Sequence, residues 1–228
     1  VKVVFCTPSL AGPTAPYIKA LEESIPLIVG AGWEEAYAQE VGCPYISHAR
    51  ATMTRKALDA GADVIVYLDY DLSWDPKDLL TLLETPGDVV AGTYRFKKDE
   101  EEYMGAVCEL NGSPACRASD GAVKAQRIPA GFLKVTRQAI RHFMAKYPEL
   151  MYGPVESPSI DLFNHGAHKG AWYGEDYAFS RNWVDAGGDI WIVPDLNITH
   201  HGKDAEGKPK AFPGNFHRYL SQMPKETP

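Results

Sequence analysis

The chain has 228 residues, of which 45% are hydrophobic and 23% charged, a length for one large domain or two small ones and the balance of an ordinary globular protein. That composition excludes a fibrous repeat or a disordered tail for most of the sequence. Its 23 Lys and Arg against 30 Asp and Glu leave a formal charge of -7, so composition does not argue for a nucleic-acid partner, which a positive field would attract.

The opening Val1-Lys2-Val3-Val4-Phe5 reads as a strand rather than a secretory signal, and no apolar run reaches the roughly 18 residues of a membrane span. A soluble, cytoplasmic protein is expected. The four cysteines, Cys6, Cys43, Cys108 and Cys116, form no C-x-x-C pair and read as reduced, mostly buried thiols, with a Cys108 to Cys116 bridge as the alternative. In chain order, a first strand is expected at Lys2 to Cys6, broken at Thr7-Pro8, then a helix from Ala15 to Ser24 and a strand from Trp33 to Val41. A helix begins at Ser47, with Ala49, Met53, Ala57 and Ala60 at helical spacing. Val64 to Leu68 is a continuous apolar run, the pattern of a strand covered on both faces.

Asp75-Pro76 then caps a helix through Leu83, and Asp88 to Gly92 forms a short buried strand. Residues 94–129 carry the charged run Lys97 to Glu102, followed by two further short strands expected near Ala106 to Leu110 and Ala122 to Ile128. A helix from Thr136 to Lys146, another from Glu175 to Ala186 and a last strand from Ile190 to His200 complete the series. Strands alternating with helices predict an α/β fold with a mainly parallel sheet and helices on both faces. In such a sheet ligands bind beyond the carboxyl ends of the strands. Residues 1–202 form the expected domain, and residues 203–228 a tail or closing loop.

Asp69-x-Asp71 follows the most apolar strand directly, and two carboxylates there suit a hard divalent ion that also takes phosphate oxygens; loop capping is the bland alternative. Arg50 lies at helical spacing from Ile46, Met53 and Ala57, so its guanidinium starts on the apolar side and needs a partner, either an internal carboxylate or a ligand phosphate or base. Thr7-Pro8-Ser9 ends the first strand and can face the same crevice. Glu175 and Asp176 stand at a helix N-terminus, where capping is the default, but Asp176 precedes Phe179 and Trp183 at helical spacing and leans inward, as a general base would. If Pro194 introduces no bulge, His200 shares the parity of Ile190, Ile192, Leu196 and Ile198 and points inward, whereas His201 points away. A buried His200 is either hydrogen-bonded core or a third metal ligand, and a nitrogen ligand shifts the preference from Mg²⁺ towards a transition metal.

The combination of Ser47-His48-Ala49-Arg50, Val64 to Trp74, Asp88 to Tyr94, Pro129 to Leu133, Gly174-Glu175-Asp176 and Thr199 to Gly202 resembles the metal-dependent GT-A family of nucleotide-sugar glycosyltransferases. The resemblance is closest to its short bacterial and phage members. It implies a GT-A fold and transfer from a nucleotide-sugar donor, a UDP-sugar first, with Mn²⁺ or Mg²⁺. Asp69, Asp71 and His200 would hold the metal, and Thr7, Pro8, Ser9, Arg50, Tyr70 and Gly131 would contact the nucleotide sugar. Trp74, Trp172 and Glu175 would face the acceptor, and Asp176 or Glu175 would act as catalytic base. The family often has Asn after the helix Arg, where Ala51 stands here, which removes that side chain's contact.

The implied acceptor is a saccharide, lipid, protein or modified DNA base. A phage-type enzyme acting on hydroxymethylated pyrimidines and a non-catalytic sugar-nucleotide binding module are the alternatives. Lys203, Lys208, Lys210, His217 and Arg218 make the tail locally basic, which would suit a DNA backbone. A nucleotidyltransferase would want a Gly-rich phosphate loop after the first strand, and residues 7–13 are too poor in glycine for one.

Overall fold

The computed structural model describes residues 1–222. Its elements are β1 (Lys2–Ser9), α1 (Ala15–Gly30), β2 (Glu34–Val41), α2 (Ile46–Asp59), β3 (Val64–Leu68), β4 (Leu72–Trp74), α3 (Pro76–Glu84) and β5 (Val89–Ala91). There follow β6 (Ala106–Val107), β7 (Val123–Arg127), β8 (Phe132–Thr136), α4 (Arg137–Lys146), α5 (Glu175–Asp185), β9 (Ile190–Ile192), β10 (Asn197–Lys203), β11 (Pro209–Asn215) and α6 (Phe216–Gln222). Short hairpins fill the long connections.

The main sheet has eight strands in the order β2-β1-β3-β8-β5-β9-β7-β6. β1, β2 and β3 run parallel, as do β5 and β9, while β8 and β7 run against their neighbours. Six of the eight strands therefore point one way, the mainly parallel α/β sheet that the sequence implied. Alternation along the strands divides the core into two layers. Val3, Phe5, Val66 and Leu68 pack with Tyr17 and Ile28 of α1 and Leu79 and Leu82 of α3. Val4, Cys6, Ile65 and Tyr67 pack on the other face with Met53 of α2, Phe143 of α4 and Phe179 of α5.

Four expectations change. β1 does not stop at Thr7-Pro8 but runs to Ser9. Pro8 pairs with Glu40 of β2 beyond the last β1–β3 pair, Cys6 with Tyr67, so the strand there has a neighbour on one side only and tolerates proline. α1 continues past Ser24 through Pro26 because its buried stripe Tyr17, Ala20, Ser24 and Ile28 keeps helical spacing. The expected strand from Ile190 to His200 is two strands, since Val193 to Leu196 with Pro194 breaks it and carries the chain into a second sheet, β11-β10-β4. His200 is buried and His201 half-buried because alternation restarts inside β10.

The fourth is β8, unforeseen in the sequence although it is central, antiparallel to both β3 and β5. Lys134 in its middle disguises it. That lysine is buried with its Nζ donating to the carbonyls of Leu83 and Thr85 at the end of α3, as a cation does at a helix C-terminus. Of the four free cysteines only Cys6 is buried, which corrects the expectation of mostly buried thiols. Residues 203–222, the described part of the expected tail, close the β10–β11 hairpin and form α6, whose Phe216 packs against Tyr103. Residues 223–228 of that tail lie outside the described residues.

Asp78 of α3 ties the two sheets together. Its Oδ2 accepts the Asn197 N–H of β10 at 2.7 Å, and burial, with Asp75 and Asp195 nearby, pushes its carboxyl up to about 6. A raised carboxyl favours the fold while protonated, so this contribution is full below the unfolded value near 4 and is lost as pH rises through about 6. Asp78→Asn keeps an acceptor for Asn197 without the buried charge. Its unfolding free energy at pH 7 is expected to rise by about 1–2 kcal/mol, with a flatter dependence on pH between 4 and 6, checked by urea denaturation at several pH values.

Candidate active site

The carboxyl ends of β1 and β3 open on one crevice, and its floor is set by Arg50. That side chain is 1% exposed, its Nη2 donating to Asp69 Oδ1 at 2.9 Å and its Nη1 to Glu175 Oε1 at 3.1 Å, with the guanidinium 5.0 Å from the Phe163 ring centroid. Burial alone would lower its basicity, but Asp69 and Glu175 outweigh that and hold it charged. Of the two partners the sequence left open for Arg50, the structure contains the internal carboxylates, each outer nitrogen of the guanidinium donating to one of them, while its buried Nε has no partner.

Asp69 is equally occupied. Its Oδ2 accepts from Tyr94 Oη at 3.3 Å, and its N–H donates to Gly131 O at 2.8 Å. A Cβ at position 131 would collide with Tyr94 Oη and Asp69 Oδ2, so Gly131 is where the backbone must come close to this pair. Each Asp69 oxygen therefore has one protein partner, and the residue lines the same cavity as Asp71 and His200.

Asp71, the other member of the D-x-D pair, does not contact Arg50. Its Oδ2 pairs with Lys97 Nζ and lies 3.7 Å from His200 Nε2. Burial opposes ionisation of Asp71, but contact with His200 and Lys97 outweighs it and holds the carboxyl below the usual range. His200, 9% exposed, has Nδ1 2.8 Å from Arg95 O, so Nδ1 donates there and the ring is held with Nε2 turned towards Asp71. A carboxylate oxygen and an imidazole nitrogen 3.7 Å apart are both ligand types for a divalent cation with bonds of about 2.0–2.2 Å, so the donor set fits such an ion when Nε2 carries no proton. Among the described residues no three His, Cys, Asp or Glu side chains converge to complete such a site, and further ligands would come from a bound molecule or water.

Two cavities share Tyr70 and Asp71 as a wall. The smaller, about 230 Å³, is lined by Pro8, Ser9, Leu10 and Ile46 together with Asp69, Asp71 and His200. Ser9 is 7% exposed and its Oγ, buried in this wall, has no hydrogen-bond partner, which marks a place for a polar ligand atom. The larger, about 660 Å³, is lined by Asp71, Lys97, His201, Lys203 and Lys210. His201, which the sequence turned away from the site, lines this second cavity with its Nε2 2.8 Å from Ser73 Oγ.

Asp176 accepts the Tyr177 N–H at its Oδ1 at 2.8 Å, a cap-like contact. Burial, with Glu175 adjacent, pushes its carboxyl up to about 6 despite Arg50. Trp172 stands 73% exposed in the hairpin Gly166–His168 and Ala171–Tyr173 that leads into α5, 6.2 Å from the His165 ring.

Two candidates do not reach the crevice. Thr7 is buried with its hydroxyl bonded to Tyr17 Oη. Trp74 is in the core, its ring 5.2 Å from Phe132 and its Nε1 donating to Ser24 Oγ at 3.0 Å, so it cannot meet an acceptor. Tyr94, Lys97 and Phe163 are residues beside the crevice to which the sequence assigned no role. Tyr94 ends the quoted Asp88 to Tyr94 segment and Lys97 opens the charged run, while Phe163 carried no local signal.

Neither a protein-family model nor a curated protein matches the sequence. Among solved structures, the chain is similar to the crystal structure of GalNAc-T7 with UDP, GalNAc and Mn²⁺, with a TM-score of 0.51 and 10% identity over 87% of this chain and 43% of that one. This chain thus spans less than half the length of that protein. It also matches a glycosyltransferase involved in glycosylation of the major capsid of PBCV-1, with a TM-score of 0.36 and 12% identity over 64% of this chain and 66% of that one.

Arg50→Ala should lower the unfolding free energy by roughly 3 kcal/mol, since it leaves two carboxylates without their buried cation, a change read by urea denaturation. Gly131→Ala should displace Asp69 and Tyr94, and a crystal structure or the Tyr94 hydroxyl resonance would register it. The chain, a mainly parallel α/β sheet with helices on both faces, is similar in fold to GalNAc-T7.

Proposed function

We propose that the chain is a glycosyltransferase that moves a sugar from a nucleoside diphosphate donor, UDP first, to an acceptor hydroxyl, with Mn²⁺ or Mg²⁺ held by Asp71 and His200. The observation that carries this is the smaller cavity. Its apolar walls suit a flat base, Ser9 Oγ lacks a partner inside it, and it borders Asp71 and His200, a carboxylate and an imidazole close enough to share a cation. The fold supports the same reading through its likeness to a protein crystallised with UDP and Mn²⁺.

When bound, the divalent ion would supply positive charge against the diphosphate leaving group. The chain's own groups do the rest. Pro8 and Ser9 position the nucleoside, Arg50 and Tyr94 immobilise Asp69 beside it, and Trp172 offers an exposed aromatic face to the acceptor. Glu175 is bound to Arg50, which leaves Asp176 as the acid available to take the acceptor proton. In an inverting transfer the acceptor oxygen bonds the anomeric carbon, the bond to the diphosphate breaks, and the hydroxyl proton passes to Asp176. A carboxyl raised to about 6 suits that role, because a base works best with a value near the operating pH.

Calorimetry tests the donor site: Asp71→Ala and His200→Ala should each abolish Mn²⁺-dependent UDP binding, and retention of full binding in both would overturn the reading. Turnover tests the base and separates an enzyme from a binding module. With sugar nucleotides supplied, UDP release should fall by about 10²- to 10⁴-fold in Asp176→Asn while UDP binding stays at the wild-type level. The wild-type rate should climb with pH through about 6, where Asp176 loses its proton, and the variant should lack that limb.

A further inference from the structure

The charged run Lys97 to Glu102 has no part in the function proposed so far, yet its first residue sits on the most important carboxylate of the crevice. Lys97 reaches Asp71 Oδ2 from the larger cavity, while His200 Nε2 faces the same oxygen. The same loop fixes both. Arg95, two residues earlier, accepts the His200 Nδ1 proton on its carbonyl, and its guanidinium is held by the carbonyls of Lys98 and Asp99. The loop backbone is therefore anchored, while the Lys97 ammonium ends a flexible four-carbon stem that lies along Gly202 and is exposed to solvent.

We propose that Lys97 is the resident counter-ion of Asp71: its ammonium neutralises the carboxylate when no donor is bound, yields that oxygen to the divalent ion, and then pairs with the donor's diphosphate. This rests on the nucleotide-sugar reading above. Asp71 is nearly buried, and such a charge needs a cation beside it at all times. An ammonium and a divalent ion cannot both contact one carboxylate oxygen without strong repulsion. The displaced ammonium then has few other anions to meet. Asp99, Glu101 and Glu102 already pair with Lys210, Arg218 and Lys98, and Glu100 is in solvent. A diphosphate bound to an ion at Asp71 would be the nearest unpaired negative charge.

The role predicts two shifts of opposite sign in Lys97→Met. With Mn²⁺ alone, titrated by the electron paramagnetic signal of the free ion, affinity should rise about two- to tenfold, because the competing cation is gone. With Mn²⁺ saturating, UDP affinity by calorimetry should fall by a similar factor. Lys97→Gln, which keeps a donor for Asp71 but no charge, should shift both affinities in the same directions, and its thermal midpoint shows that the fold is intact. Weakening of both ligands would mean that Lys97 merely shapes the site, and no change in either would mean that it is idle; each overturns the proposal. Should the wild-type chain bind neither Mn²⁺ nor UDP, the nucleotide-sugar reading falls and takes this one with it, an outcome distinct from failure of the lysine variants alone.

Discussion

A guanidinium almost wholly removed from water organises this site. Arg50 leaves helix α2 between the end of β3 and the start of α5, and a buried cation there is tolerable only with carboxylates at hydrogen-bond distance. Asp69 and Glu175 provide them from opposite sides of the crevice. Because one oxygen of Asp69 is held by Arg50 and the other by Tyr94, the carboxylate has a single orientation. Gly131 must lack a side chain for that arrangement to close. The adjacent acids Asp71 and Asp176 are left outside this ion pair, Asp71 meeting Lys97 and Asp176 accepting the Tyr177 N–H.

The same division recurs in three places. Asp69 and Asp71, Glu175 and Asp176, and His200 and His201 are close neighbours in sequence whose surroundings separate them. In the acidic pairs, one residue is neutralised by Arg50 and the other is not. In the histidine pair, alternation along β10 sends one ring to each of the two cavities that meet at Asp71. Small offsets along the backbone thus become large differences in charge environment, as the opposite directions of the Asp71 and Asp176 carboxyls illustrate.

The second sheet makes this possible. β10 pairs with β4 directly after the Asp71 turn, placing His200 opposite Leu72, and with β11 on its other side. The basic residues of the C-terminal segment are partly neutralised within the same structure, since Lys210 pairs with Asp99 and Arg218 with Glu101. That pairing weakens the segment as a docking surface for a nucleic-acid backbone and ties it to the loop beside Asp71.

Local patterns determined the parallel core and the place of the crevice. Val64 to Leu68 announces a doubly covered strand by its unbroken apolar run, and Asp69-x-Asp71 is adjacent to it by covalent necessity. The inward lean of Arg50 followed from helical spacing alone. Tertiary structure decided everything that depends on which distant group arrives. No spacing rule pairs Arg50 with Glu175, which is 125 residues away, or brings Lys97 to Asp71. β8 escaped notice because a lysine serving as cap for α3 interrupts its apolar pattern, and Trp74 looked available because burial beneath α1 leaves no mark in its own neighbourhood. Periodicity records which face of an element is buried, whereas the partner of a charge is set only when the elements pack.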